Sequence, residues 1–229
     1  MNEIGTLYIV ATPIGNMEDI TLRALRILKE VDTILCEDTR TTKKLLSRYE
    51  ITTKTSSYHA HSTGAKESFI IQMLKDGKNL ALVSDAGTPC ISDPGVLLVQ
   101  NVREALGDEA KIVPIPGPSA LVTALSASGI SVAEFVFLGF LPHKKGRETL
   151  FKQMSTLGRP VAFYESTHRI EKALDSLVAY YPESFVVVGR ELTKQFEEFV
   201  RGTPLEVKAY FEAHTDHVRG EFVVIVAPK

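Results

Sequence analysis

The stretch "NLALVSDAGTPCISDPGVLLVQNVREAL" (79–106) decides the fold of this chain. Its apolar start, 79–84, predicts a short buried strand, and residues 95–106 have the leucine and valine spacing of a helix. The loop between them, 84–95, holds two aspartates, two glycines and two prolines. Such loops form tight turns and bring the backbone close to whatever it contacts. The stretch is therefore one strand–loop–helix unit with a candidate ligand loop at its centre.

The same alternation of strand and helix continues on both sides of this stretch. In chain order, the other predicted elements of the first half are strands at 6–11, 31–36 and 110–115 and helices at 21–30, 41–50 and 68–77. Asp19 is a candidate cap at the start of the first helix, and Gly77 is the candidate C-cap of the third. This order predicts an α/β fold with a mostly parallel sheet covered by helices.

The pattern is interrupted at "PIPGPSA" (114–120), where three prolines occur within five residues. Such punctuation is typical of a hinge between domains. We therefore predict two α/β domains, 1–115 and 118–229. The second has predicted helices at 121–129, 149–158, 168–181 and 205–214 and strands at 134–141, 160–166, 184–192 and 220–228, which favour a mixed sheet.

Composition limits the class of protein. Of 229 residues, 44% are hydrophobic and 24% are charged, with a formal net charge of −2, as in ordinary globular proteins. This charge excludes a strongly basic nucleic-acid binder but leaves room for a local basic patch. The two cysteines, Cys36 and Cys90, have neither metal-site nor disulfide spacing. The chain shows no signal peptide and no membrane-length apolar run, so we expect a cytoplasmic protein without a membrane partner.

Three loops that follow predicted strands carry unusual residues: "TPIGNMED" (12–19), "EDTRTT" (37–42) and 84–95. In an open parallel sheet, ligands bind at the carboxyl ends of the strands, so these loops predict a shared ligand site. The alternative is that they only make turns. Walker, dinucleotide and nucleophile-elbow signatures are all absent from the sequence. His59 and His61 lie in a polar loop without a carboxylate at ligand spacing, so we expect no metal site there.

Six ordered motifs resemble a known family: "LYIVATPIGNMEDITLRALRIL", "CEDTRTTKKLL", "LVSDAGTPCISDPG", "VPIPGPSA", "FYESTHRI" and "RELTKQFEE". They are similar to those of the bacterial methyltransferases that modify a cytidine ribose 2′-hydroxyl in 16S ribosomal RNA. These enzymes belong to the tetrapyrrole-methylase superfamily, and the resemblance runs from about residue 5 to the C-terminus. It implies two α/β domains, with S-adenosylmethionine in the cleft between them, and a homodimer that acts on the small ribosomal subunit.

The resemblance also implies which residues bind the cofactor. They are Pro13 in the first loop, Asp85, Ala86, Gly87, Ile91 and Ser92 in the loop 84–95, Ser119 and Ala120 after the hinge, and Tyr164, Glu165, Leu192, Gly220 and Glu221 on the adenine side. In this interpretation, residues 85–87 form a backbone cradle in which a side chain at position 87 would collide with the ligand. Residues 91 and 92 would close over the sulfonium end.

The catalytic group is not decided by the sequence. A ribose 2′-hydroxyl is a poor nucleophile until it is deprotonated, so a base or a cation beside the oxygen would help. The candidates are Asp38, Arg40, Glu165, His168 and Lys194. The first two are equally an ordinary loop ion pair. The segment "ESTHR" (165–169) also fits a helix start, capped by Ser166 or Thr167, with an exposed histidine.

The loop "PHKKGR" (142–147) is the candidate contact with RNA phosphates through Lys144, Lys145 and Arg147, and its alternative is a solvated loop. Phe140, Tyr58 and Tyr164 would each either stack on an unpaired base or pack in the core.

Three functions remain open at this point: an RNA ribose methyltransferase, a tetrapyrrole methyltransferase of the same fold, and a non-catalytic binding module. The loop 142–147 and "CEDTRTT" favour the first. The chain ends at "VVIVAPK", where family members often continue with a short basic helix, so we expect a lower RNA affinity than the family implies.

Overall fold

A computed structural model describes residues 3–59 and 64–228 of the chain. Its packing divides into two compact units, one ending at Ser119 and the other beginning at Ala120. The sequence placed the domain ends at 115 and 118, a few residues earlier. Each unit has its own five-stranded sheet. The predicted α/β class is confirmed.

The first unit alternates strands and helices along the chain. Its elements are β1 (Thr6–Val10), α1 (Leu22–Glu30), β2 (Thr33–Cys36), α2 (Thr39–Arg48), β3 (Thr55–Ser57), α3 (Gly64–Lys75), β4 (Leu80–Val83), α4 (Val96–Leu106) and β5 (Lys111–Ile115). The strand order is β3-β2-β4-β1-β5, and every pairing is parallel. The carboxyl ends of the strands therefore meet at one edge, as a parallel sheet requires.

Strand β4 shows why this sheet is covered on both faces. Leu80 and Leu82 pack in a cluster that includes residues of α3 and α4. Ala81 and Val83 point the other way, into a cluster that includes residues of α1 and α2. Successive side chains of a strand face opposite sides, so a continuous apolar run is what a doubly covered strand needs.

The ends of the helices differ in part from expectation. The predicted cap Asp19 is wrong: it lies in a short 3-10 turn, and the Thr21 hydroxyl accepts the Ala24 N–H at 3.1 Å instead. Gly77 adopts a φ of +82° after α3, and its N–H donates to the Leu74 carbonyl, as expected of a C-terminal cap. Strand β3 was not predicted, because three polar residues carry no apolar pattern.

The second unit has a mixed sheet. Its elements are α5 (Ala120–Ser128), β6 (Val136–Phe140), α6 (Arg147–Met154), β7 (Val161–Ser166), α7 (Ile170–Tyr180), β8 (Phe185–Arg190), β9 (Glu198–Gly202), α8 (Pro204–Ala213) and β10 (Glu221–Ala227). The strand order is β6-β7-β10-β8-β9, with β6 parallel to β7 and the other pairs antiparallel. The predicted mixed sheet is confirmed, although β9 was not foreseen.

The core of the second unit lies between this sheet and helices α6, α7 and α8. Phe163, Phe211 and Phe222 are almost fully buried there, and the last two rings meet edge to face with centroids 5.9 Å apart. Each buried phenylalanine contributes roughly 2–3 kcal/mol of transfer free energy. Because β10 runs against β7 and β8, it begins at the edge where they end.

None of the helices formed by residues 3–59 and 64–228 has the length and hydropathy of a membrane span.

Candidate functional site

The loop 84–95 is tied to the loop after β1 by backbone bonds. The Thr12 N–H donates to the Gly87 carbonyl at 2.9 Å, and the Gly87 N–H donates back to the Thr12 carbonyl at 3.0 Å. The Thr12 hydroxyl also donates to the Ser84 carbonyl at 3.1 Å. The ends of two adjacent parallel strands, β1 and β4, are therefore held in one fixed arrangement.

Gly87 is required by the fold itself. It is buried with a φ of +81°, a conformation that side chains disfavour. A Cβ at this position would lie 3.3 Å from the Cγ2 of Ile14. The resemblance explained this glycine by contact with a ligand, and the structure adds an internal reason. Its neighbours Asp85 and Ala86 remain exposed.

The loop after β2 joins the same edge. The Asp38 N–H donates to the Asp85 carboxylate at 3.1 Å. The Asp38 carboxylate caps α2 by accepting the Arg40 N–H at 2.8 Å, and it pairs with the guanidinium of the same residue at 2.7 Å. The side-chain hydrogen bond from Arg40 is the main cause that lowers the pKa of Asp38 to about 2. This carboxylate is thus a weak base, and the loop ion pair is the interpretation that the structure shows.

Three carboxylates crowd this edge: Glu37, Asp85 and Asp93. Burial, followed by the charges of the other two, raises the pKa of Asp93 to about 6. The pKa of Glu37 is also raised, first by burial and then by Asp85. Within residues 3–59 and 64–228, none of the three takes part in an ion pair. The edge therefore carries a concentrated, uncompensated negative charge.

The remaining predicted cofactor contacts of the first unit lie around these loops. Pro13 is half-buried beside Thr12, and Ile91 and Ser92 are exposed. The Thr88 hydroxyl donates to the Pro118 carbonyl at 3.1 Å, which ties loop 84–95 to the segment that ends at Ser119. The strand ends of β1, β4 and β5 thus bring the predicted residues of this unit to one edge of its sheet.

The predicted contacts of the second unit also share an edge. Thr167 and Gly220 are held by reciprocal bonds, because the hydroxyl donates to the glycine carbonyl at 2.8 Å and accepts its N–H at 2.9 Å. The Tyr164 hydroxyl accepts the Leu121 N–H at 3.2 Å, next to Ala120. Leu192 is buried at the end of β8. These residues join the end of β7, the start of α5 and the start of β10.

Lys194 is held between two carboxylates at this edge. Its ammonium lies 2.8 Å from Glu191 and 2.7 Å from Glu221. Burial acts to lower its pKa, but the hydrogen bonds to these two carboxylates outweigh burial and raise the pKa. The lysine stays protonated at neutral pH, so it does not have the free electron pair that a general base requires.

Glu165 differs from its predicted role as base or adenine contact. Its side chain is fully buried and lies 2.9 Å from Arg147 on one oxygen and 2.9 Å from Arg169 on the other. The Ser166 N–H also donates to it at 2.9 Å. Arg147 is therefore not the solvated phosphate contact that the loop composition suggested, since its side chain is only 12% exposed.

The observed start of α7 differs from the helix start that the sequence offered as an alternative for residues 165–169. Ser166 and Thr167 do not cap this helix, because its N-cap is Arg169 and no side chain caps it. The Ser166 hydroxyl instead accepts from the Arg169 guanidinium at 3.1 Å. His168 is exposed, as the helix-start interpretation expected.

The candidate RNA residues divide into exposed and buried groups. Lys144 and Lys145 are exposed, and Phe140 is 54% exposed at the end of β6. Tyr58 is buried, and its hydroxyl donates to Glu67 at 2.9 Å, so it belongs to the core. Tyr164 is half-buried, and its ring packs against that of Phe140 with centroids 5.4 Å apart.

A model of the family described as tetrapyrrole (corrin/porphyrin) methylases matches residues 6–207. The match covers most of both units, including the loops that follow β1, β2 and β4, and it ends before Gly220 and Glu221. The chain belongs to the tetrapyrrole methylase family. The motif resemblance in the sequence is thereby confirmed.

Curated relatives of this methylase are similar over almost the whole chain. "Ribosomal RNA small subunit methyltransferase I" of Halalkalibacterium halodurans is 47% identical over 97% of this chain and 75% of its own. The protein of the same name from Bacillus subtilis is 46% identical over 98% and 76%. That from Escherichia coli O157:H7 is 46% identical over 98% and 78%.

Solved structures share the fold of this methylase at low identity. Diphthine synthase matches with a TM-score of 0.73 and 14% identity, over 98% of this chain and 90% of its own. The cobalt precorrin-4 methyltransferase matches with a TM-score of 0.67 and 15% identity, over 97% and 94%. At this identity the likeness supports the fold alone.

A cavity of about 510 Å³ in the second unit of this methylase was not foreseen. Arg190 pairs in its wall with Glu198 at 2.9 Å, and the same carboxylate accepts from the Tyr210 hydroxyl at 2.9 Å. His217 lies 3.0 Å from it. The charges of Arg190 and Glu198 are thus satisfied by each other.

Sequence reasoning also missed Glu37 and Asp93 at the first edge of the methylase. Their positions in the sequence could have identified both as site candidates, because each lies in a loop that follows a strand of the parallel sheet. In the ranges 3–59 and 64–228, no group of three or more His, Cys, Asp or Glu side chains is arranged to hold a metal ion. His59 is exposed, and His61 lies outside the described residues.

Proposed function

We propose that this tetrapyrrole methylase transfers a methyl group to RNA of the small ribosomal subunit. The observation that carries the proposal is the 46–47% identity, over 97–98% of the chain, to curated small-subunit ribosomal RNA methyltransferases. The chain is a methyltransferase, and its methyl donor is S-adenosylmethionine. We further propose that the acceptor is the 2′-hydroxyl of a cytidine ribose in 16S RNA.

The first unit has the charge that this donor requires. S-adenosylmethionine supplies an electrophilic methyl group on a positively charged sulfonium. The carboxylates of Glu37, Asp85 and Asp93 are crowded at one sheet edge without an ion pair among the described residues. Burial, followed by the charges of the other two, raises the pKa of Asp93 to about 6, and the repulsion among the three is relieved when a cation binds beside them. Asp85 and Ala86 lie exposed on the rigid loop 84–95, where they would contact the donor.

The residues that would assist the acceptor are fewer than the sequence suggested. Asp38 is ionised with a low pKa, Lys194 is protonated, and Glu165 is buried between two guanidiniums. Arg40 is the remaining cationic candidate beside the acceptor oxygen, because its side chain is 88% exposed while it pairs with Asp38. In this account, the chain contributes mainly alignment and electrostatic stabilisation, which are the two contributions that direct methyl transfer needs.

A tetrapyrrole is the second candidate acceptor, and the description of the family model favours it. Such a macrocycle needs a broad apolar surface. The loop 142–147 instead presents two exposed lysines, which suit phosphates. We therefore place RNA first.

The test is to incubate the protein with labelled S-adenosylmethionine and small ribosomal subunits from cells that lack it, and to map the labelled nucleotide. A porphyrin precursor in a parallel reaction serves as the competing acceptor. Label on a ribose oxygen of small-subunit RNA is the expected result. Label on the porphyrin precursor with none on RNA would refute the proposed substrate.

We also propose that the protein is a cytoplasmic homodimer. Exposed apolar side chains on α3 and α4 supply candidate contact area, with Phe69 60% and Leu97 62% exposed. Sedimentation at micromolar concentration should give twice the chain mass of 25.2 kDa. A monomer mass would remove this part of the proposal.

A further inference from the structure

The second unit contains a buried charge cluster that fixes one surface loop. Arg147 and Arg169 both pair with the buried carboxylate of Glu165. Each arginine then donates to a neighbouring carbonyl of the loop, Arg169 to Leu141 at 3.0 Å and Arg147 to Pro142 at 3.2 Å. Two planar guanidiniums on one carboxylate therefore hold two consecutive carbonyls in place.

Leu141 is buried, but Pro142 is exposed, and its carbonyl could be hydrated without Arg147. A buried ion cluster also costs desolvation free energy that apolar packing would avoid. The cluster does give the residues on either side of these carbonyls a defined position. Those residues are Phe140 on one side and Lys144 and Lys145 on the other. Preorganisation of this kind is useful when a surface has to bind something.

Phe140 is a large apolar side chain left 54% exposed. Its ring rests on the edge of Tyr164, with centroids 5.4 Å apart and planes inclined at 60°. The Arg169 guanidinium lies 6.0 Å from the ring centroid, within cation–π range. The ring is thus supported by the cluster and is still open to a partner. In proteins that bind single-stranded nucleic acid, the bases stack on exposed aromatic rings of this kind.

The charge next to this ring has one sign. Residues 135–147 contain no acidic residue, but they contain His143, Lys144, Lys145 and Arg147. Across residues 3–59 and 64–228 of the structure, neither lysine forms a hydrogen bond or ion pair with another side chain. Arg147 is neutralised by Glu165, so the exposed charge comes from the two lysines. Free, exposed ammonium groups are the usual contacts to phosphates.

We propose that Phe140, Lys144 and Lys145 form a binding surface for single-stranded RNA, on which one unpaired base stacks while the lysines contact the flanking phosphates. Glu165 is a positioning residue for this surface, acting through the two arginines. The inference deepens the proposed function, on which it rests, by assigning the recognition of an unpaired segment to these residues. A duplex does not satisfy this surface, because its bases are already stacked.

The chain contains no tryptophan, which allows a direct test. In a Phe140→Trp variant, all tryptophan emission comes from the proposed surface. Phe185→Trp is the matched control. Phe185 is 44% exposed and lies at the start of β8, so it is at the opposite end of the strands from Phe140 in the same sheet. The probe is a single-stranded RNA of about ten nucleotides, the length that stacking surfaces of this kind cover. An RNA duplex of equal length is the second probe.

The expected result is saturable quenching of the Phe140→Trp emission by single-stranded RNA, weaker quenching by the duplex, and no change in the control variant. Phe140→Ala should lower affinity for the single strand by about tenfold. Lys144→Ala with Lys145→Ala should reduce the slope of log affinity against log salt by about 1.4. Three results would overturn the surface assignment: equal quenching in both tryptophan variants, equal quenching of Phe140→Trp by single strand and duplex, or no quenching of Phe140→Trp at all.

Glu165→Gln tests the positioning role. We expect faster hydrogen exchange at the amides of 143–147 and a weaker affinity for single-stranded RNA, both measured without the methyl donor. If this variant fails to fold, Arg147→Lys keeps the charge but not the two-pronged contact, and it should show the same exchange and affinity changes. Unchanged exchange in a folded variant would contradict the role. These binding readouts do not require methyl transfer, so failure of the surface and failure of the proposed methylation are seen separately.

Discussion

The two sheet edges that hold the predicted site residues differ in whether their carboxylates are paired with cations. At the first edge, Glu37, Asp85 and Asp93 lie together without an ion pair among the described residues, and burial with mutual repulsion raises the pKa of Asp93 to about 6. At the second edge, buried or half-buried carboxylates are matched by cations. Glu165 has two arginines and Glu198 has one.

The difference suggests a division of roles between the edges. An edge with uncompensated negative charge attracts a cation, and the sulfonium donor is one. It would repel RNA phosphates. An edge that neutralises its own carboxylates leaves its exposed lysines free to act on an anion. We therefore propose that the donor binds at the first edge and RNA at the second.

The largest expected effect is on the neutralised edge. Glu165→Ala leaves two arginines buried without their carboxylate, and removal of one partner of a buried ion cluster costs about 3–5 kcal/mol of unfolding free energy. Thermal unfolding should show a midpoint lower by roughly 10 °C. Glu148→Ala is the control, because its pair with Lys152 is exposed and screened by solvent, so its removal should change stability little. A loss equal to that of the control would mean that the cluster is not structural.

The second prediction concerns the exposed lysines. With Lys144 and Lys145 both replaced by alanine, methylation of small subunits at limiting RNA should fall roughly tenfold at moderate salt, because two phosphate contacts are lost. Calorimetric affinity for S-adenosylmethionine should not change. Arg147 is left intact, since its replacement would disturb Glu165. An equal fall in donor affinity would show that the two roles are not separate.

The third prediction concerns the pH dependence of the first edge. The folded pKa of Asp93, about 6, lies above its ordinary value, so the folded state binds this proton more tightly than the unfolded state. The resulting stability is present near pH 4 and is lost as pH rises through 6. Asp93→Asn should therefore match the parent near pH 4 and be more stable at pH 8. We expect about 1 kcal/mol, since partial exposure reduces the roughly 3 kcal/mol of a two-unit shift.

Chemical unfolding at both pH values measures this difference, with the exposed Asp108→Asn as control. A gain for Asp93→Asn that is the same at pH 4 and pH 8 would exclude a titrating carboxylate at this edge.

The elements with strong apolar periodicity were predictable from sequence. Strand β4 and helix α4 were predicted because "LALV" is a short continuous apolar run and the leucines after the loop have helical spacing. Strands β3 and β9 were not, because "TSS" and "EFVRG" lack a pattern and form through pairing with distant strands. The sequence prediction chose Asp19 instead of Thr21 as the cap, because aspartate ranks above threonine as an N-cap residue.

The site was less predictable than the fold, for a physical reason. Arg147 lies next to Gly, Pro and Lys, which is a composition typical of a solvated loop, but its partner Glu165 is on strand β7. Sequence spacing does not report such a pairing. Likewise, the crowding of Asp93 with Glu37 arises only when β2 and β4 lie side by side. Long-range neighbours set the charge state of both residues.

The most direct test of the division of roles is a calorimetric comparison of two ligands that differ by one positive charge. S-adenosylmethionine carries the sulfonium, and S-adenosylhomocysteine does not. Their dissociation constants are measured for the parent, for Asp85→Asn, and for Asp108→Asn as an exposed control distant from the strand ends. We expect Asp85→Asn to weaken binding of S-adenosylmethionine about fivefold more than binding of S-adenosylhomocysteine, a difference of about 1 kcal/mol, with no change in the control. An unchanged ratio of the two constants in Asp85→Asn would contradict it.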